Sequence, residues 1–532
     1  MTGGSAGLRL SGSFGSLQQQ TQSGGLQLQN LYLTRRSSRM SLAGYREKER
    51  YWSCFRYLCR RKVGMLILAA FMAAAFMTGF FTLNKEDGFE NSGFPIAVRY
   101  LNRSHVAPWV LPGKEASNSK INGVSICKES TGWSTLFDAS AMRDSFGSTT
   151  VLTNPCKDFV FPPPPPGDMR RLGPRPCPVC YVPLEQAVAR MPKFPSPSPV
   201  LHHLTYFSEE NPLRTEPYGG SGFGGYPSLK QRNDSFIIKE SMTVHCGFVK
   251  GCRPGVGTGF DIDVSDLEML EQFREVIVAS AIFGNYDEIK QPRNISETAR
   301  SNVPFFMFID EETETYMRNS SVLGIDKQVG LWRIIVVRNV PYTDSRRNGK
   351  VPKLLLHRLF PNARFSIWID GKLQLVVDPY QILERFLWRQ NATFAISRHY
   401  ARFDVFEEAA ANKFLGKYDN ASIDYQIEFY KKEGLTPYTT AKLPITSDVP
   451  EGCVIIREHI PITNLFSCLW FNEVDRFTSR DQLSFSTVRD KVAAQVNWRV
   501  NMFLDCERRN FVIQSYHRDL LEHIAHMASA RT

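Results

Sequence analysis

From Cys246 onward, short apolar runs alternate with segments of helical period. REVIVASAIFGNYD (274–287) is a β-rich run that closes on Gly-Asn. VPFFMFIDEET (303–313) is a second run, ending in acids, and LWRIIVVRNV (331–340) is a third. GKVPKLLLHRLF (349–360) reads as a basic helix and ARFSIWIDG (363–371) as a strand. PYQILERFLWRQ (379–390) reads as a helix and TFAISRHY (393–400) as another strand. Short, continuously apolar strands separated by helical stretches predict an α/β domain with a largely parallel sheet. Ligands of such sheets sit beyond the carboxyl ends of the strands. Asp310 and Asp370 each close an apolar run and occupy that place.

Upstream the pattern is of another kind. Val63–Leu83 carries no charge over 21 positions, enough to cross a hydrocarbon core of about 30 Å as a helix. Arg60, Arg61 and Lys62 precede it, and Lys85, Glu86 and Asp87 follow. The basic flank is expected to stay cytoplasmic, with the rest of the chain lumenal. About 60 residues ahead of the run are too many for the n-region of a signal peptide. Residues 84–240 contain FPPPPPG (161–167), PRPCP (174–178), PSPSP (195–199) and GGSGFGGYP (219–227). Such runs give stiff and flexible spacers, so this part reads as a stem, some of which is expected to pack on the catalytic domain through a short helix at CYVPLEQAVARM (180–191). The expected organisation is a basic tail (1–62), a transmembrane anchor (63–83), a stem (84–240), a catalytic domain (241–520) and a C-terminal tail (521–532).

Charge is distributed accordingly. Residues 1–62 hold eleven Lys/Arg and two Glu, so +9 of the chain's net +11 belongs to the tail. The high pI therefore says little about the main domain and implies no nucleic-acid partner. The tail, rich in Gly, Ser and Gln, reads as a solvated, disordered segment beside the membrane. Sequons occur at Asn102, Asn233, Asn294, Asn319, Asn391 and Asn420, all beyond the apolar span, as in a glycosylated lumenal region. Nine of the eleven cysteines lie on the same side, where disulfides form. Nine is odd, so at least one thiol is free or pairs with another chain. Cys177 and Cys180 in CPVC are read first as disulfide-forming, with a zinc site and redox chemistry as alternatives.

An anchored, stemmed, lumenal α/β domain suits sugar transfer in the Golgi from a nucleotide sugar. The donor's diphosphate needs positive charge, and its hydroxyls need carboxylate acceptors. Many such enzymes place Asp-x-Asp after a central strand to hold a divalent metal, Mn or Mg, against the diphosphate. Here the triplet is Asp370-Gly371-Lys372. Lys372 can neutralise phosphate as a point charge, so the site need not hold a metal there, and Gly371 allows close approach of a ligand. The competing reading is a plain turn after a strand. A literal Asp261-Ile262-Asp263 precedes the first long strand and reads as acids at a helix N-terminus.

Three further groups supply candidates. In RRNGKVPKLLLHR (346–358), Lys350, Lys353 and His357 share one helical face that can meet a diphosphate; Asp310 joins them as a donor-binding candidate. RHYARFDVFEEA (398–409) offers His399, Arg402 and Glu407 for the acceptor, or else a capping and salt-bridge set. WFNEVDRFTSRDQLSF (470–485) places Asp481 before a helix, as its cap or as the proton acceptor for the attacking hydroxyl. His523 and His526 read as an exposed helix face.

Five stretches then carry a resemblance: HCGFVKG (245–251), IVASAIFGNYDEIKQP (277–292), MFIDEET (307–313), SIWIDGKLQLVVDP (366–379) and SRDQLSF (479–485). Together they resemble the plant family of turgor-regulation-defect and mucilage-related proteins with a glycosyltransferase-like domain, from about Cys177 to about Asp519. MTGGSAGLRLSGSFGSL at the N-terminus resembles the mucilage-related, hexosyltransferase branch. The resemblance implies a GT-A-like fold and a Golgi type II membrane protein. It also implies transfer of a hexose to a cell-wall or mucilage polysaccharide related to pectin, in company with other cell-wall glycosyltransferases. Lys372 departs from the GT-A metal motif, so metal dependence does not carry over. The turgor branch also bears the label alkaline ceramidase, which implies amide hydrolysis. A non-catalytic Golgi scaffold is the third reading.

Overall fold

The apolar runs become the strands of two larger sheets and a separate antiparallel pair. In a computed structural model, residues 124–127, 155–161, 176–251, 253–515 and 517–518 are described. The basic tail, the expected anchor at 63–83, Asn102, His523, His526 and residues 521–532 lie outside them. Among the described residues no helix is long and apolar enough to cross a membrane.

A small sheet is formed by β1 (Val124–Cys127), β2 (His203–Glu209) and β3 (Ser241–Val244). The main sheet takes β4 (Asp261–Ile262), β5 (Val276–Ile282), β6 (Phe305–Asp310), β7 (Gln328–Val329), β8 (Trp332–Arg338) and β9 (Phe365–Ile369). A separate strand, β10 (Leu373–Leu375), follows. The main sheet then adds β11 (Phe394–Arg398), β12 (Pro450–Glu458) and β13 (Asn501–Phe503), and β14 (Val512–Gln514) pairs with β10. The order across the main sheet is β13-β11-β12-β9-β5-β6-β8-β4, with β7 also on β8. The pairs β9–β5, β5–β6, β6–β8 and β11–β13 are parallel, while β12, β4 and β7 run against their neighbours. The sheet is mixed, as expected, with six of its nine strands pointing the same way but only four of its eight pairings parallel.

Alternation along each strand feeds two cores. On β5, Ile277 and Ala279 pack into one apolar cluster, while Val276, Val278 and Ile282 pack into the other. A strand covered on both faces is apolar at nearly every position, which is why β5, β6 and β9 are nearly continuous apolar runs in the sequence, broken only by Ser280, Ser366 and the terminal Asp310. Full burial of one such large side chain contributes about 1.5–3 kcal/mol.

The folded domain begins earlier than the boundary expected at 241. Val182 and Ala187 enter one core, and Leu201, Tyr206, Phe223 and Phe236 enter the other. Disulfides fasten this stretch. Cys156 pairs with Cys180, and Cys177 with Cys506. The two CPVC cysteines thus bond away from each other, tying the presumed stem to the end of the domain. Cys246 pairs with Cys468, and Cys453 is buried as a free thiol. Proline and glycine in residues 176–240 mark tight turns between packed segments, not only spacers.

Cys246–Cys468 closes 222 residues of chain, so removing it is expected to lower stability by about 2–4 kcal/mol. The Cys246→Ala/Cys468→Ala variant should unfold at a lower denaturant midpoint, and non-reducing peptide mapping should recover the three pairs. An unchanged midpoint, or other pairings, would contradict this arrangement.

Candidate active site

A cleft of about 420 Å³ opens beyond the carboxyl ends of the adjacent parallel strands β5 and β9. Its floor comes from Ala281–Gly284 and from Trp368, Asp370, Gly371 and Lys372. Gly284 turns the chain at φ +63°, and a Cβ there would stand 2.5 Å from the Ser345 hydroxyl. At Gly371 a Cβ would lie 2.8 Å from the Ala281 carbonyl oxygen. Glycine is therefore required at 371 by the neighbouring strand end, a different reason from the ligand approach expected. The turn is closed by the Leu373 amide donating to the Asp370 carbonyl at 2.9 Å, and the Asp370 amide donates to Cys453 of β12 at 2.9 Å.

Six basic side chains line the cleft (Arg346, Lys350, Lys353, Lys372, Lys417 and Arg480) against three carboxylates (Asp287, Asp344 and Asp370). The excess favours an anionic ligand. Behind the floor a buried charge cluster forms. Asp481 Oδ2 accepts from Lys350 Nζ at 2.8 Å and from Lys353 Nζ at 2.9 Å. Lys353 Nζ lies 3.5 Å from Asp370 Oδ1, which also accepts from Trp368 Nε1 at 2.9 Å. Burial alone would raise both carboxyl pKa values. The lysines outweigh it, holding Asp370 and Asp481 below the usual carboxylate range. Burial lowers Lys350 to about 8, with Lys353 adding to the shift and Asp481 opposing it. For Lys353 burial is outweighed by Asp370 and Asp481, and its pKa is raised.

The expected helix over 349–360 is broken. Ser345–Asn348, Lys350–Leu354 and Leu356–Leu359 are separate short helices, with Leu355 out of helical conformation. Pro352 has no amide hydrogen to continue a helix and sits in the first turn of its own, where proline is tolerated. Lys350 and Lys353, three residues apart, reach the cluster. The break at Leu355 sends His357 elsewhere: it is buried, with Nε2 3.6 Å from Cys246 Sγ and 3.3 Å from Cys468 Sγ. His357 is thus a core residue beside the disulfide and not a donor ligand.

Other sequence candidates are also relocated. Asp310 caps the helix Glu311–Asn319 by accepting from the Thr313 amide, and it accepts from the Gly284 amide at 2.6 Å. It supports the floor of the cleft from behind. Asp481 does not cap its helix. A carboxylate clamped between two ammonium groups is a weak base, so its place is to hold Lys350 and Lys353, not to accept a proton. His399 is fully buried, its Nδ1 accepting from the Ala401 and Arg402 amides, and burial, with Arg402 beside it, lowers its pKa to about 4. Arg402 pairs with Glu408, and Glu407 is exposed in the first turn of the helix Val405–Phe414, capped by Asp404. This set is a capping knot and none of its members lines the cleft. Asp261 and Asp263 lie at the far edge of the sheet, where Asp263 pairs with Lys327 at 2.7 Å.

The sequence profile of the TOD1/MUCI70 glycosyltransferase-like domain matches residues 204–517. The chain belongs to this family. It is 56% identical over 522 residues to "Probable hexosyltransferase MUCI70" of Arabidopsis thaliana, covering 97% of this chain and 88% of that one. It is 36% identical over 307 residues to "Alkaline ceramidase TOD1" of the same plant, covering 56% of this chain and 64% of that one. Mouse xyloside xylosyltransferase 1 aligns over 43% of this chain and 85% of its own, at 9% identity and a TM-score of 0.26.

In this TOD1/MUCI70 domain several lining residues escaped the sequence reading. Asp287 follows β5 within IFGNYDEIKQP, and an acid just beyond a strand's Gly-Asn end was a usable signal. His517 arrives from beyond β14, its Nδ1 2.6 Å from Asp287 Oδ1 and its ring 4.3 Å from that of Tyr286. Nothing local in the sequence connects it to the cleft.

Lys350 titrates within reach of ordinary assays. Its ammonium is present below about pH 8 and lost above it. Affinity for a nucleoside diphosphate is expected to be highest below that pH and to fall as pH rises through it. Lys350→Arg should flatten the fall, because a guanidinium keeps its charge. Calorimetric titration with UDP from pH 6 to 10 checks this, and a pH-independent affinity in the unaltered chain would refute it.

Proposed function

We propose that this protein is a hexosyltransferase that moves a sugar from a nucleotide-sugar donor to a cell-wall or mucilage polysaccharide related to pectin. One observation carries the reading: a basic cleft at the carboxyl ends of two parallel strands, in a chain of the glycosyltransferase-like family. Lys350, Lys353, Lys372 and Arg346 meet the diphosphate, while Asp370, the carboxylate that lines the floor, faces the donor sugar or ribose. A GT-A-like arrangement of the sheet is consistent with this placement. The acceptor enters beside the cleft, on residues other than His399, Arg402 and Glu407.

The donor set at 370–372 fits a divalent metal poorly. It offers one carboxylate, with an ammonium 3.5 Å away and a lysine where a second acid would stand. Among the described residues, the one group of three His, Cys, Asp or Glu ligands within metal-binding distance is Cys246, His357 and Cys468, whose cysteines are disulfide-bonded. The lysines therefore take the part of the metal in binding the diphosphate. We further propose a single-pass Golgi membrane protein with its C-terminal domain lumenal, working beside other cell-wall glycosyltransferases. The flanks of Val63–Leu83 support this, as do the three disulfides among the described residues and five sequon asparagines (233, 294, 319, 391 and 420), all exposed.

A screen of nucleotide sugars against pectic oligosaccharides, with ceramide as a control substrate, tests the activity. Sugar transfer supports the reading, whereas ceramide hydrolysis without transfer rejects it. Asp370→Asn should abolish transfer while costing at most about 1 kcal/mol of stability, as for a partly exposed ion pair. Donor binding should survive a chelator; complete loss restored by manganese would overturn the assignment to lysines. In intact Golgi vesicles a C-terminal tag should resist protease, and its cleavage without detergent would reverse the topology.

A further inference from the structure

Arg457 lies on β12, one strand from Asp370, and is 1% exposed. Its Nη2 donates to the Lys353 carbonyl at 2.6 Å, and Nη1 donates to the Leu354 carbonyl and to Ser467 Oγ, both at 3.3 Å. Its Nε donates to Ser366 Oγ at 3.2 Å. Ser366 Oγ in turn lies 2.8 Å from His459 Nε2. Every one of these partners is neutral. Burial holds the Arg457 pKa down to about 9, and it pushes neighbouring His459 down to about 3, with Arg457 adding to that shift. A buried cation without a carboxylate is costly, and such a cost persists where the surrounding structure requires the contact.

The three anchoring points are not scattered. Lys353 and Leu354 end the short helix that carries both cleft lysines. Ser366 lies on β9, four residues before Asp370. Ser467 lies in the helix Pro461–Arg476, which leads to Asp481. One planar guanidinium thus reaches the helix that bears Lys350 and Lys353, the strand that ends at Asp370, and the helix that precedes Asp481. The open carbonyls at a helix C-terminus carry partial negative charge, which offsets part of the burial cost. Lysine, with a single point of charge, cannot reproduce the fork.

We infer that Arg457 is a positioning residue that sets Lys350 and Lys353 against Asp370 and Asp481 and so shapes the diphosphate-binding end of the cleft. The inference rests on the donor-binding reading given above, but its test does not depend on a donor. The charged groups around Lys350 are Asp481, Lys353 and Asp370, and Arg457 acts on it only through the helix it holds.

The full chain carrying ¹³C-dimethylated lysines is titrated by NMR, with Lys350→Arg used to assign the Lys350 signal. In Arg457→Met the Lys350 midpoint should rise from about 8 towards the ordinary lysine value, as the helix loosens and the ammonium regains water. UDP affinity, measured well below the melting temperature, should fall at least about tenfold, a loss of about 1.4 kcal/mol. Ser467→Ala, which removes one of the four contacts, should give a smaller shift in the same direction and serves if Arg457→Met does not fold. A purely structural arginine would lower the melting temperature yet leave both the Lys350 midpoint and UDP affinity unchanged, and that result would overturn the inference. No UDP binding by the unaltered chain would overturn the donor reading alone, with the Lys350 midpoint still deciding the role of Arg457.

Discussion

The Asp481 carboxylate, buried between the Lys350 and Lys353 ammonium groups, is the interaction on which the cleft depends. Two lysines three residues apart on one short helix would repel each other in a low-dielectric setting. Shared by both, Asp481 cancels that repulsion and leaves Asp370 to meet Lys353 from the other side. The result is a nearly neutral foundation beneath a surface that is basic overall. Breaking a buried pair strands the remaining charge and is strongly destabilising, so Asp481 and the two lysines stand or fall together, while the partly exposed Asp370 is held less tightly to them. Their worth lies in fixing geometry more than in net stability, because desolvation consumes much of the attraction.

Everything else brings those four residues to one place. The parallel pair β5 and β9 puts two strand ends side by side, and the Gly371 turn packs against Ala281 without a side chain between them. Asp310, from the next strand, tethers the Gly284 loop by its amide. The break at Leu355 separates the lysines that face the cleft from His357, which faces the core. Disulfides link the N-terminal stretch and the end of the domain to this framework. A cleft built this way is held by elements distant in sequence, as suits a site that must keep several charges in register.

The family assignment and the geometry meet at this cleft and reach different distances beyond it. A diphosphate is served by clustered lysines and arginines near strand ends, whichever sugar is attached. Lys417, Arg480, Asp287 and His517 also line the cleft, with Asp287 close against Gly371. The relative named an alkaline ceramidase shares the same domain but matches only 56% of this chain, whereas the relative named a hexosyltransferase matches 97%.

The sequence by itself determined the sheet and the place of Asp370. Strands buried on both faces are apolar at most positions, and the first charge after such a run marks the end where ligands collect. It also marked Lys350 and Lys353, since three-residue spacing survives even in a helix of five. What it could not determine was which residues meet across long separations. Asp481 looked like a cap or a base because its two lysines are more than a hundred positions away. His357 looked like a ligand because a continuous helix was assumed across Leu355. His399 looked available because nothing local showed it buried, and residues 176–240 looked like spacer because their apolar residues pack on partners far along the chain. Such outcomes follow from tertiary packing and charge pairing, which periodicity does not encode; only the folded structure could decide them.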